Sequence, residues 1–213
     1  MTAALVLVAL TAGLGSALLT DHSAVWSRAL KIAASTAMVS IVLTGNPTLT
    51  GYTVFISAGL AASWLGDLSL SFPGQRTFLA GLVSFALAHL LYVASFFARS
   101  SMDVVAIVVS SIVMAITVTA ILRWLLPHVP DPLMTPVTVY LGIITVMVVT
   151  SFGTSGAMAD PRIPMAAVLF MISDVLVAKH RFVSPIRWNR IVGLPIYYAA
   201  QALFAITAII AWT

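Results

Sequence analysis

Apolar residues dominate this chain, and the polar ones cluster so as to leave eight windows: about 2–20, 29–45, 51–70, 77–98, 103–125, 134–152, 164–178 and 193–212. Windows of about 18 or more apolar residues read as transmembrane helices. The pattern predicts an all-α, polytopic membrane protein of eight helices. The seventh is short and relies on Lys179 reaching out to the headgroups. Short connections leave no room for a soluble domain, so residues 1–213 read as one transmembrane bundle.

Two polar positions interrupt this pattern at a cost. Asp67 lies near the end of the third window and Asp174 inside the seventh, whereas Asp21, Asp103, Asp131 and Asp160 fall at window ends or in connections. A carboxylate at mid-helix costs roughly 2.5–3.5 kcal/mol on insertion scales, so a membrane protein rarely carries one idly. Helical spacing gathers further polar groups around the pair. Ser63, Asp67 and Ser71 repeat at i, i+4, i+8; His89 and Tyr92 share a face, as do Tyr197, Tyr198 and Gln201. Asp67 is about 24 Å along its helix at 1.5 Å per residue, and the others converge on a similar layer. A transmembrane His, Tyr or Gln is more often an interhelical hydrogen-bonding residue than a catalyst. The Asp pair is therefore the stronger candidate site.

Helices 3–4 and 7–8 also resemble each other. Gly66-Asp67-Leu68 matches Ser173-Asp174-Val175, and Gly81 with His89 matches Gly193 with Gln201 at the same spacing of eight. This suggests a parallel 4+4 repeat with halves 1–100 and 101–213, a device also found in transporters.

Charge changes the picture in one respect. The formal net charge is +4, with ten basic residues. Assigned alternately to two sides, Arg28, Lys31, Arg76, Arg123, Lys179, Arg181, Arg187 and Arg190 fall on one and Arg99 and Arg162 on the other. This bias is the positive-inside pattern; it places both termini outside and the candidate site toward the cytoplasmic half, in a bacterial plasma membrane. Basic charge that sets topology and meets anionic lipid heads argues against a nucleic-acid partner. Trp26, Trp124, Trp188 and Trp212, near helix ends, read as interfacial belt residues.

Composition and motifs remove several chemistries. At 61% hydrophobic and 8% charged, the chain is no soluble globule. Without cysteine it has no disulfide, thiolate metal site or cysteine nucleophile. The first window lacks a basic n-region and reads as a retained helix rather than a signal peptide. A glycine-rich phosphate loop, a His-Glu-x-x-His pair and a Gly-x-Ser-x-Gly elbow are all missing. Two Asp and one His lack metal-motif spacing, so no metal is expected.

At these residues the chain resembles the YhhN-like family of lysoplasmalogenases. The likeness rests on Gly66-Asp67-Leu68, on His89 and Tyr92, on Phe170-Met171-Ile172-Ser173-Asp174, and on Tyr197-Tyr198-Ala199-Ala200-Gln201. The basic loop after helix 7 and the absence of Glu depart from the pattern. The resemblance implies an ether hydrolase that cleaves the vinyl ether of lysoplasmalogens to a fatty aldehyde and a glycerophospho-base, without a cofactor. Asp67 and Asp174 would be its catalytic pair.

The chemistry suits two carboxyls. Protonating the alkene carbon of a vinyl ether generates an oxocarbenium ion, which water captures as a hemiacetal. One carboxylic acid must give the proton, and one carboxylate must stabilise the cation and activate water, as in glycosidases. Tyr197, Tyr198, Gln201, His89 and Tyr92 would orient water or the glycerol backbone of the lysophospholipid substrate. Lys179, Arg181, Arg187 and Arg190 would face its phosphate, unless they act only as topology signals. Two other readings use the same Asp pair: a small proton- or cation-coupled transporter, and an intramembrane aspartyl protease. The protease lacks its Gly-x-Gly-Asp here, since Trp64-Leu65-Gly66-Asp67 stands in that place. A lipid-binding protein without catalysis is the simplest alternative.

Overall fold

The computed structural model describes residues 1–20, 22–99, 101–154 and 159–210. Eight α-helices run in order: α1 Thr2–Leu19, α2 Ala24–Thr44, α3 Gly51–Leu70, α4 Gln75–Arg99, α5 Val104–Leu125, α6 Asp131–Phe152, α7 Arg162–Ala178 and α8 Arg187–Ile210. All eight segments are long and apolar enough to cross a membrane, and the chain is an integral membrane protein. Asp21 and Trp212 lie outside the described residues.

Side-chain caps mark three of the helix starts. Ser23 caps α2, Thr50 and Thr53 form a reciprocal capping box on α3, and the Asp103 side chain accepts from the first amides of α5. Five helices start earlier than their apolar windows: α4 at Gln75 and α7 at Arg162 by two residues, and α2 at Ala24, α6 at Asp131 and α8 at Arg187 by three to six. Polar residues at a helix end do not stop the helix; caps and prolines do. The seventh segment is not short. A π turn over Lys179–Val183 continues α7, so the membrane-crossing stretch is Arg162–Val183. Lys179 sits inside that turn and is not needed to rescue a truncated span.

Helix pairs build the molecule: α3 packs on α4, α1 on α2, and α7 on α8, while α8 also touches α1, α2 and α3. The α3–α4 hairpin closes through Pro73 and Gly74, whose φ of +133° only glycine adopts readily. Within the hairpin the helices approach closely because Gly66 lies under Phe85; a Cβ there would come within 2.6 Å of the Phe85 ring. This contact fixes the height of Asp67, the next residue, against α4. The two proposed halves pack differently, since α1 lies on α2 and α8, whereas α5 contacts α6, the turn Leu126–His128 and the π turn. Most of α5 faces outward, with Val105, Val109, Ile112 and Ile116 exposed for lipid.

Candidate active site

Asp67 and Asp174 both line one chamber of about 90 Å³. Different helices supply them, Asp67 from the last turn of α3 and Asp174 from the C-terminal half of α7. The remaining wall is mostly apolar, including Phe85, Leu141, Ile144 and Met171. Trp124 also lines it, so this tryptophan is more than a belt residue.

The two carboxylates have unlike surroundings. Asp67 is buried and meets a cation and two hydroxyl donors. Lys31 Nζ lies 3.1 Å from Oδ1, Tyr197 donates to Oδ2 at 2.7 Å, and Ser35 donates to the same oxygen. Such a donor set addresses an anion. A relay of side chains holds it in place: Tyr92 donates to Gln201 Oε1 at 2.7 Å, and Gln201 Nε2 donates to the Tyr197 hydroxyl at 2.9 Å. With its lone pairs facing Gln201, Tyr197 has its one proton left for Asp67. Tyr198 completes the cradle by donating to the Lys31 carbonyl at 3.0 Å and lying 3.1 Å from Ser35 Oγ.

Asp174 has one hydroxyl donor, Tyr140, at 3.1 Å from Oδ2. His89 Nε2 lies 3.7 Å from that oxygen, beyond hydrogen-bond reach, and both ring nitrogens of His89 are buried without a hydrogen-bond partner. Phe170 stands between the two clusters, 4.6 Å from the His89 ring and 5.3 Å from the Tyr197 ring, centroid to centroid, both edge to face. Ser173 donates to the Gly193 carbonyl at 3.1 Å, tying α7 to α8 beside Asp174. Among the described residues no group of three or more His, Cys, Asp or Glu is placed to hold a metal ion.

The YhhN family model matches residues 26–208, most of the chain. The chain belongs to the YhhN family. Among its curated relatives, lysoplasmalogenase TMEM86B of Sus scrofa is 29% identical over 157 residues, covering 74% of this chain and 64% of that protein. Lysoplasmalogenase TMEM86A of Homo sapiens is 31% identical over 160 residues, covering 72% and 65%. A lysoplasmalogenase of Mycobacterium bovis is 31% identical over 159 residues, covering 70% and 57%. The chain thus matches less than two thirds of the length of these relatives. No solved structure matches it.

Within this YhhN chain, seven of the residues expected at the site gather there. Asp67, Tyr197, Tyr198, Gln201 and Tyr92 belong to one hydrogen-bonded set, whereas His89 lies beside Asp174 without a hydrogen bond to it. Lys179 does not join them and lines neither this chamber nor the basic cavity beside it. Lys179 follows Asp174 by five residues, which at about 100° per residue sets it roughly 140° round the helix, off the site's face. Arg187 is also elsewhere, donating to the Leu18 carbonyl at 2.7 Å.

Three residues that contact the Asp pair, Lys31, Ser35 and Tyr140, carry weaker sequence signals. Lys31 reads as a topology charge on a helix that starts at 29; with the helix beginning at Ala24, it lies two turns in and faces Asp67. Its i, i+4 spacing to Ser35 was the available signal, matching the Ser63-Asp67-Ser71 stripe across the interface. Tyr140 stands alone in an apolar window, and no spacing marks it.

Proposed function

We propose that this protein hydrolyses the vinyl ether bond of lysoplasmalogens, with Asp174 as the acid and Asp67 as the carboxylate. The observation carrying this reading is that two carboxyls with different donor sets line one apolar chamber. The names of the family relatives supply the substrate class. Asp67 meets an ammonium and two hydroxyl donors in Lys31, Tyr197 and Ser35, while Asp174 meets a single phenol and a ring nitrogen out of reach.

In the proposed sequence Asp174 gives its proton to the alkene carbon beyond the ether-bearing one. The C=C pair forms the new C–H bond, and the ether oxygen shares the positive charge of the resulting oxocarbenium ion. Asp67 stabilises that cation and takes a proton from the water that adds to it. In the collapse, the hemiacetal hydroxyl returns a proton to Asp174 and Asp67 returns one to the departing glycerol oxygen. One water is consumed, an aldehyde and a glycerophospho-base leave, and both carboxyls are restored. Tyr92, Gln201 and Tyr197 hold the Asp67 side in register, and Tyr140 and His89 frame the Asp174 side. The excess of basic residues at the Arg28–Arg181–Arg190 end orients that end to the cytoplasm and both termini outside.

The test is aldehyde release from a purified lysoplasmalogen by the wild type, Asp67→Asn and Asp174→Asn. General acid–base catalysis contributes about 10²–10⁴-fold, and each variant should lose on that order. Wild-type protein that releases no aldehyde, or variants that turn over unchanged, would overturn the proposal.

A further inference from the structure

A second cavity, of about 400 Å³, adjoins the chamber at the basic end of the molecule. Its floor is built from the α3–α4 turn, and α1, α2, the π turn and the start of α8 surround it. The two cavities share Lys31, Leu70, Phe78, Val177 and Leu194 in their walls. Lys31, which bonds Asp67, therefore stands at their border. The second cavity differs in chemistry from the first: Arg28, Arg181 and Arg190 line it, and among the described residues no carboxylate does.

We propose that this cavity binds the phosphate of the lysophospholipid headgroup, with Arg28, Arg181 and Arg190 as its cationic partners. The proposal rests on the hydrolase reading for the identity of the lipid, but not for the phosphate chemistry. Topology alone explains basic residues at this end of the molecule. It does not explain why these three converge, because Arg76, Arg123, Lys179 and Arg187 belong to the same end and line neither cavity. Two of the three are held in a way that suits an anion. The guanidinium of Arg28 lies 5.2 Å from the Phe72 ring centre, and that of Arg181 lies 5.0 Å from the Phe78 ring centre. Stacking on an aromatic face fixes the plane and leaves the N–H edge for a phosphate oxygen.

The order of the cavities matches the order of groups in the lipid. A phosphate among the arginines puts the glycerol backbone past Lys31, the ether oxygen beside Asp67, and the alkenyl chain along Phe85, Leu141 and Ile144. Phe78 lines both cavities and carries Arg181, so one ring supports the headgroup contact and the chain wall together.

Binding to the full-length protein in zwitterionic nanodiscs tests this without turnover. The probes are 1-O-alkylglycerophosphoethanolamine, whose saturated ether is not cleaved by this chemistry, and 1-O-alkylglycerol, which lacks the phosphate. Arg28→Gln and Arg181→Gln should each weaken the phosphate-bearing probe about tenfold, equivalent to about 1.4 kcal/mol, and leave the alkylglycerol unchanged. Arg181 is exposed on its turn, so that variant carries little folding risk. Competition by inorganic phosphate would mark a site that takes free phosphate as well; absence of competition would mark one that needs the lipid. Either supports phosphate recognition. Equal affinity of the wild type for both probes, unchanged affinity in both variants, or parallel loss of both probes would overturn it. Selective loss of the phosphate probe by a protein that releases no aldehyde from a lysoplasmalogen would retain this site and remove the hydrolase reading.

Discussion

Replacing Lys31 by Met should destabilise the protein more than replacing its partner. Lys31 Nζ and Asp67 Oδ1 are 3.1 Å apart, with side-chain exposures of 14% and 3%. At an effective dielectric of about 20 the direct attraction is about 5 kcal/mol. Much of that offsets desolvation, but removing one partner leaves the other buried and unpaired, which costs about 3–5 kcal/mol. The cost is asymmetric. In Asp67→Asn the lysine can extend toward the basic cavity that it already lines and find water. In Lys31→Met the carboxylate has no such exit, because the α3 backbone holds it against Tyr197 and Ser35. The double variant Lys31→Met/Asp67→Asn buries no charge at the site and should be more stable than Lys31→Met alone. Thermal unfolding of the three variants in one detergent measures the order. A Lys31→Met protein as stable as wild type, or a double variant less stable than either single one, would refute the ion pair as the element holding Asp67.

Gln201→Leu removes the group that directs the Tyr197 proton to Asp67; kcat for aldehyde release should fall about tenfold with KM retained, which steady-state kinetics reads. A second prediction concerns the opposite end, where burial pushes the Asp160 carboxyl up but the hydrogen bonds and charge of Arg162, with the charge of Arg99, outweigh it and hold it below the usual carboxylate range. A carboxyl lowered by folding adds stability that is present above its unfolded value of about 3.9 and is lost as pH falls through the folded one. The stability difference between wild type and Asp160→Asn should therefore hold at neutral pH and shrink below about pH 4. Finally, because the chain has no cysteine, Ser71→Cys in the basic cavity should react with a water-soluble thiol reagent, and Ser95→Cys, fully buried toward the other end, should not.

The eight spans were legible because lipid-facing helices need apolar residues all round, and nothing else in the chain mimics that signal. Helix starts were less so: Ala24–Arg28 and Arg187–Val192 read as connection by hydropathy but extend helices that also face a cavity. That misplacement hid Lys31, since a lysine at a helix mouth and one two turns in look alike until the start is known. Asp67 and Asp174 stood out because an isolated carboxylate is the residue a membrane tolerates least. Tyr140 did not, because a phenol is at home both at an interface and in a core. The π turn that lengthens the seventh span has no sequence signature in Lys179–Val183.

The arrangement of water-accessible and closed regions favours chemistry over transport. A carrier that relays protons or cations through the Asp pair needs a route to each side of the membrane in turn. Here the polar groups reach the basic cavity through Lys31, whereas above them the helices close. Tyr92 stacks on Phe204 at 4.3 Å, Phe96 packs on Phe204 at 6.1 Å, and Tyr52, fully buried, donates to Thr207 at 2.6 Å. Arg99 lies over the Tyr52 ring at 4.7 Å and 3.8 Å from Asp160, which Arg162 also grips, so charged residues seal that end. Opening it would separate two ion pairs and an aromatic stack. A hydrolase needs no such opening: a lipid that enters by its chain and leaves as two smaller products can use the basic end and the bilayer side alone.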